Sequence, residues 1–322
     1  MSARASACLE LEPDLIAAAI GEAPPSAAGR VRDHIDACRE CRGAFERYRA
    51  IDGLVLGLRD EPVPADELEA ARAGLRAKLA DLRSRIVSYR VFTSPLGPIL
   101  VARSEQGVTL VEYLARAGGI AVSRLRRAVE EDAMEGGAEM DALHRELTEY
   151  LGGRRTELGW PLDLRLAGSD FDRAVLQATA AVPYGAVTSY ARIAADIGRP
   201  TATRAVAQAL KRNPLAIAVP CHRIVGIAGD LMGYVGRRIS LKQHLLGVEG
   251  VPTVEGPSDV RVARQSMYVL YPGDDEYCVP TCPSLTPARL GMATLFSSRR
   301  GVEGAGVSPC TTCRPDLHPI RR

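Results

Sequence analysis

The sequence predicts a multidomain α+β protein, on three observations. A chain of 322 residues exceeds one domain of about 100–200 residues, so two or three are expected. The apolar periodicity switches from helical spacing to short β-branched runs and back to helical spacing. The eight cysteines fall into three groups: Cys8, Cys38 and Cys41; Cys221 alone; and Cys278, Cys282, Cys310 and Cys313. Together these predict a helical domain over 1–60, a helical linker over 61–85 and a small antiparallel β subdomain over 86–165. A helical domain with a helix-turn-helix over 166–251 and a small four-cysteine domain over 262–322 complete the chain.

Composition excludes several classes. Apolar residues make up 46% and charged residues 25%, which is ordinary for a globular chain. Lys+Arg of 41 against Asp+Glu of 39 gives a net charge of +2, so any nucleic-acid site is a local patch and not a polybasic tail. No run approaches the roughly 18 apolar residues of a transmembrane helix, and the N-terminus lacks the apolar core of a secretion signal. The expectation is a cytoplasmic protein with no membrane partner. Structural disulfides are rare in that compartment, so close cysteine pairs read as metal ligands and a lone cysteine beside histidine reads as a nucleophile.

Residues 1–58 read as helical, with a break at Pro24-Pro25-Ser26 and a second helix from about Ala28. Residues 61–65 (EPVPA) are a linker. Leu68, Ala71, Leu75, Leu79, Leu82 and Ile86 recur at steps of three and four, the mark of an amphipathic helix, here a spacer packed on a neighbour. The runs Ile86–Phe92, Ile99–Ala102 and Val108–Tyr113, separated by turns at 95–98 and 105–107, predict an antiparallel meander. Residues 122–151 return to helical spacing. Residues 168–250 are largely helical, and 251–262 form a polar linker.

Within that helical stretch, Thr188–Ile197, a turn at Gly198-Arg199-Pro200 and Thr201–Arg212 read as a helix-turn-helix. Thr201 is placed to cap the second helix. Arg199, Arg204, Lys211 and Arg212 stand there with no acid among them, which suits a nucleic-acid recognition helix; the alternative is a solvated helix face. Downstream, an apolar lead ends in Pro220-Cys221-His222-Arg223-Ile224. A thiol of pKa near 8.5 needs a base, a cation or a helix terminus to become a nucleophile. On an extended strand adjacent side chains diverge, so His222 reaches Cys221 through a water or a bend. The alternative is a buried, inert cysteine beside a structural histidine.

At these residues the sequence resembles the O6-alkylguanine-DNA alkyltransferase family. Pro220 to Ile224, Gly233-Tyr234-x-Gly236 and Leu245-Leu246-x-x-Glu249-Gly250 carry the likeness. Phe171-x-x-x-Val175-x-Gln177-Ala178, Val182-Pro183-Tyr184-Gly185, Thr188-x-Tyr190, Arg204-Ala205-Val206, Asn213-Pro214 and, earlier, Tyr89-x-x-x-Thr93-Ser94-Pro95-Leu96-Gly97 extend it over about 86–250. The resemblance implies DNA repair by irreversible, stoichiometric transfer of a methyl or other alkyl group from O6-alkylguanine, and from O4-alkylthymine, in duplex DNA. The acceptor is then Cys221, and the lesion base is flipped out of the stack to reach it. It further implies that Glu249, His222 and a water deprotonate Cys221, that Tyr234 donates to the leaving base and that Asn213 holds the active-site turn. Tyr190, Thr201, Arg204 and Arg223 are then DNA contacts, with Arg204 filling the vacated stack through the minor groove. The family often has Trp where Leu176 stands and Gly-Gly where Gly236-Arg237 stands; the second difference predicts a narrower or more charged alkyl pocket.

Cys278-x3-Cys282, then 27 residues, then Cys310-x2-Cys313 is a strong pattern for zinc held by four thiolates. A purely structural zinc ribbon is one reading. The flanking residues, 277–284 and 309–315, with 293–296 and 305–307 between them, resemble the Ada-type methylphosphotriester-accepting zinc domain. That resemblance makes Cys278 both ligand and methyl acceptor. Near the start, His34, Cys38 and Cys41 share one helical face, with Cys8 the candidate fourth ligand. Residues 5–50 resemble the zinc-binding anti-sigma domain, which implies a sigma factor or another helical protein as partner; a redox switch that releases metal is the alternative to a static zinc site. A second reading of the whole chain is therefore an anti-sigma-like transcriptional regulator that senses DNA alkylation.

Overall fold

A computed structural model describes residues 3–60, 64–114, 133–234, 238–256 and 259–320. It divides into two compact units, 1–78 and 79–322. Among the described residues, no helix is long and apolar enough to cross a membrane.

The first unit contains α1 (Ala3–Ala19), α2 (Pro25–Ala37) and α3 (Arg39–Asp60). Pro25 sits at the start of α2, where a missing N–H leaves no helical bond unmade; the second helix thus begins three residues earlier than expected. Leu15 and Val31, 2% and 1% exposed, meet Cys41 at the centre, with Leu11, Ile35, Phe45 and Tyr48 around them. So small a core leaves little surplus over chain entropy, and a bound metal would supply what is missing. Next comes α4 (Ala65–Arg85). Its Leu68, Leu75, Leu79 and Leu82 are exposed, where a stripe packed on a neighbour was expected.

The second unit opens with β1 (Val87–Phe92), β2 (Ile99–Ser104) and β3 (Gly107–Tyr113), antiparallel as expected. A short β4 (Ala133–Glu135) adds to the free edge of β1 in parallel. Of the helical stretch expected over 122–151, residues 122–132 lie outside the described residues, 133–135 form β4, and α5 (Ala138–Leu151) is the helix observed. Gly107 adopts φ +148°, and a Cβ there would lie 2.2 Å from the Pro161 carbonyl oxygen, to which Val108 N–H donates. Gly107→Ala is therefore expected to cost about 1–3 kcal/mol of stability, read as a lower urea midpoint.

The helical part contains α6 (Asp170–Ala180), β5 (Ala186–Ser189), α7 (Tyr190–Asp196) and α8 (Thr203–Lys211). Ser169 and Ser189 cap α6 and α7 through their hydroxyls. Thr188 and Ser189, expected in the helix, instead belong to a strand and its cap. Thr201 is not a cap; Ala202 holds that position for α8 without a side-chain bond. After the catalytic-motif segment come β6 (Ile224–Val225) and α9 (Ile239–Val248).

The expected linker over 251–262 contains a hairpin of β7 (Thr253–Glu255) and β8 (Val260–Val262). Beyond it lie β9 (Tyr268–Leu270), β10 (Glu276–Tyr277), β11 (Thr294–Phe296), α10 (Arg299–Glu303) and β12 (Ser308–Pro309). The four-cysteine segment is not a bead on a string: β11 joins β5, so one sheet runs β6-β5-β11-β9 through both regions. Leu295 faces Val187 and Phe296 faces Ala186 in the shared register, and their burial welds the C-terminal segment to the helix-turn-helix.

Candidate active site and metal centres

Cys221 begins a single 3-10 turn, Cys221–Arg223, and not the extended strand the apolar lead suggested. The turn supplies the bend. It leaves Cys221 partly exposed on a cavity of about 990 Å³ and sends His222 into the interior at 0% exposure. Asn213 fixes the segment before it: Nδ2 donates to Val219 O at 3.1 Å and to Cys221 Sγ at 3.4 Å, while Oδ1 accepts from Leu215 N–H at 2.9 Å. Between Asn213 and that turn, Ile217 is held at φ +71°, a strained conformation for a β-branched residue that the surrounding bonds maintain.

Glu249, 3% exposed, organises the buried side. Its Oε1 accepts from His222 Nε2 at 2.6 Å and from Tyr150 OH at 2.5 Å. Arg223 Nε reaches Oε2 at 2.9 Å, and Gly185 N–H reaches the same oxygen at 3.1 Å. Burial alone would raise this carboxyl; His222 and Arg223 overrule it and hold the group at about 2. An ionised carboxylate only accepts, so His222 carries its proton on Nε2. Burial also pushes the imidazole below its ordinary value, against the pull of Glu249, and His222 is therefore neutral. Its Nδ1 lone pair is buried without a hydrogen-bond partner among the described residues.

Burial raises the Cys221 thiol, while the Asn213 amide and the Lys242 ammonium pull it back. Lys242 is fully buried and donates to Ile224 O at 2.5 Å; burial brings its ammonium down to about 8, opposed by Cys221 and Asp230. Tyr234 OH lies 3.3 Å from Tyr113 OH, and the Tyr234 ring meets the His222 ring edge to face. Burial keeps the Tyr234 phenol protonated, its pKa well above the ordinary value.

The structure brings together Cys221, His222, Glu249, Asn213 and Tyr234. Tyr190 and Arg204 line the same cavity, Arg204 exposed on α8. Arg223, expected as a DNA contact, is 7% exposed and stands as the counter-charge of Glu249. Thr201 is exposed and is not among the cavity residues. Arg212 pairs with Asp172 at 2.8 Å, so an acid from α6 does balance the basic stretch. Gly236-Arg237 lies outside the described residues, and Leu176 is buried at 1%. Tyr113, Tyr150 and Lys242 were not singled out in the sequence. The signal for Lys242 was available, since it shares a helix face with Leu245 and Leu246.

Two further clusters form as the spacing predicted. Cys8, His34, Cys38 and Cys41 have ligand atoms within 4.8 Å of one another, as do Cys278, Cys282, Cys310 and Cys313. Cys8 Sγ lies 3.6 Å from His34 Nε2 and 4.0 Å from Cys38 Sγ, and Cys282 Sγ lies 4.0 Å from Cys310 Sγ. Zn–S bonds of about 2.3 Å in a tetrahedron require sulfurs about 3.8 Å apart, so both donor sets fit zinc in size and chemistry. Parallel pairing of Tyr277 with Pro309 sets Cys278 beside Cys310.

Comparison with known proteins bears on 87–251. The family model for the 6-O-methylguanine DNA methyltransferase ribonuclease-like domain matches residues 87–164, and that for its DNA binding domain matches 170–251. A methylated-DNA–protein-cysteine methyltransferase of Methanosarcina acetivorans is 36% identical over 164 residues, covering 50% of this chain and 97% of the relative. The constitutive enzyme of Bacillus subtilis is 36% identical over 163 residues, covering 51% and 95%. A crystal structure of Mycobacterium tuberculosis OGT in complex with DNA is 36% identical, covers 50% of this chain and 92% of that one, and has a TM-score of 0.43. The family models and the curated relatives favour alkyl transfer over the regulatory alternative. With nearly the whole length of such proteins contained in its middle half, the chain belongs to the methylated-DNA–protein-cysteine methyltransferase family.

Proposed function

We propose that Cys221 is the alkyl acceptor of this DNA repair protein, and that the buried Glu249–His222 pair activates it. The observation that carries the proposal is the 2.6 Å contact of His222 Nε2 with Glu249 beside a buried, unpartnered Nδ1: with the proton on Nε2 committed to Glu249, Nδ1 is the lone pair available to take the Cys221 proton through a water. The sulfur then attacks the alkyl carbon, a C–S bond forms as the C–O6 bond breaks, and Tyr234 supplies a proton to the departing guanine. Tyr113, bonded to Tyr234, orients that phenol. A thioether is the product, so each molecule acts once. Arg204 enters the stack from α8, Tyr190 turns the lesion phosphate, and Asn213 keeps the thiol aimed at the cavity. O4-alkylthymine is accepted in the same way.

The domain reading follows: a zinc-binding helical domain over 1–60, a helical linker over 61–85, an alkyltransferase over 86–165 and 166–251, and an Ada-type zinc domain over 262–322. Cys8, His34, Cys38 and Cys41 would hold one zinc, and Cys278, Cys282, Cys310 and Cys313 another. Bound zinc keeps thiolates ionised at neutral pH. Cys278 is then the acceptor for methylphosphotriesters, and the helical domain is a docking module for a helical protein such as a sigma factor. Metal analysis of the full chain is expected to give two zinc ions, one for each cluster. Cys278→Ala is expected to abolish methyl uptake from phosphotriester-bearing DNA while Cys221 still takes O6-methyl groups; uptake that persists in this variant excludes Cys278 as acceptor.

A further inference from the structure

The loop after the catalytic turn forms one wall of the cavity. Ile227, Asp230 and Met232 line it, and Ile227 and Met232 are 64% and 51% exposed. The loop is tight: Gly226 N–H donates to Asp230 O at 2.9 Å and Gly229 N–H to Gly226 O at 2.8 Å. A Cβ on Gly226 would lie 2.2 Å from Asp230 Oδ2, so a side chain there would displace that carboxylate.

Residues beyond 251, where the family match ends, hold this loop from outside. Leu231 N–H donates to Val260 O at 2.8 Å, and Val262 N–H donates to Gly229 O at 2.9 Å. Arg264 Nη1 donates to Ile227 O at 3.2 Å, and its methylenes cover Gly229, where a Cβ would meet Cδ at 3.3 Å. Gly291, just before β11, lies against Ile227; a Cβ on it would stand 3.3 Å from the Ile227 Cβ. The same stretch is tied to α7 by Ser189 Oγ donating to Gly291 O at 2.5 Å. A loop with its own bonds alone samples open forms, whereas contacts on its backbone from a packed neighbour deplete them.

We propose that the C-terminal segment sets the position of the lesion-pocket wall, with Ile227 the specificity-determining side chain and Arg264 and Gly291 positioning residues, so that the chain discriminates adducts by size. Arg264 fixes the Ile227 carbonyl and Gly291 leaves room for Ile227 to sit back from the cavity. Releasing the first loosens the wall; filling the second pushes it inward. The two changes act in opposite directions on bulky adducts, which a simple loss of stability does not. The inference rests on Cys221 being the acceptor in this cavity.

The test uses the full chain with duplexes carrying O6-methylguanine or O6-benzylguanine, following the adduct on Cys221 by mass spectrometry. Arg264→Ala is expected to raise the benzyl-to-methyl rate ratio about fivefold, equal to about 1 kcal/mol at 1.36 kcal/mol per decade. Arg264→Lys, still a donor to Ile227 O, is expected to return the ratio towards that of the unaltered chain, and Gly291→Ala to lower it. Equal loss on both substrates, an unchanged ratio in both Arg264→Ala and Gly291→Ala, or a lysine variant indistinguishable from alanine overturns the proposal. Methyl transfer to Cys221 in the unaltered chain checks the acceptor separately. If that transfer is absent, both readings fall; if it is present with unchanged ratios, only the wall proposal falls.

Discussion

Cys221→Ala is expected to take O6-methyl transfer from one group per chain to none, with affinity for the methylated duplex preserved. The sulfur is the only atom of that side chain able to displace the alkyl group, and no turnover exists to mask its loss. The groups proposed to grip DNA lie elsewhere, on α7 and α8, and Asn213 retains two of its three bonds, to Val219 and Leu215, when Sγ is gone. The active-site turn should therefore persist. Intact-mass spectrometry after incubation with excess methylated duplex reads the transfer, and fluorescence anisotropy of the labelled duplex reads the binding. A 14-Da gain in the variant at the position of the guanine lesion, on the order of one CH₂ per chain, would show that another residue is the acceptor.

Glu249→Gln is expected to give the second large effect, on rate and stability together. The amide leaves Arg223 buried at 7% exposure with no counter-charge. Removing one partner of such a pair costs about 3–5 kcal/mol. The amide also no longer compels His222 to place its proton on Nε2, so the proposed base for Cys221 is lost in part. Transfer is expected to slow by about 10²–10⁴-fold, the usual contribution of a positioned base. The acid dependence of stability should change as well. The carboxyl is held at about 2 against an ordinary 4.5. Because the folded value is depressed, its stabilisation is complete above 4.5 and is lost as pH falls through about 2. The variant is expected to lose this part of the pH dependence. Urea midpoints across that range, alongside single-turnover rates at neutral pH, test both parts; an unchanged rate would remove Glu249 from the relay.

The elements with strong periodic signals were legible in the sequence. The meander of β1 to β3 and the helices α7 and α8 stand close to their expected positions because apolar spacing and turn residues act over a few neighbours. The close pairs within the two cysteine clusters were legible for the same reason: a C-x2-C or C-x3-C step places its thiols together, whereas Cys8 beside His34 and Cys282 beside Cys310 depend on the fold. Thr188 and Ser189 went the other way. Their neighbours suggested helix, but pairing of Thr188 with Ile224 and of Ser189 with Val225 in β6 draws them into a strand, at whose end Ser189 caps α7.

Sequence by itself determined which side chains are candidates for the chemistry: a thiol, the imidazole of the next residue, a carboxylate at Glu249, and two sets of zinc-type donors. Only the tertiary structure decided their roles. Arg223 reads as a surface cation beside a DNA-binding motif, yet the fold buries it against Glu249. Lys242 and Tyr150 look like ordinary helix residues until packing brings them to Ile224 and Glu249. The physical reason is that residue type fixes what a group can donate, accept or attack, whereas burial and long-range partners set its charge, its tautomer and its direction, and those are properties of the assembled interior.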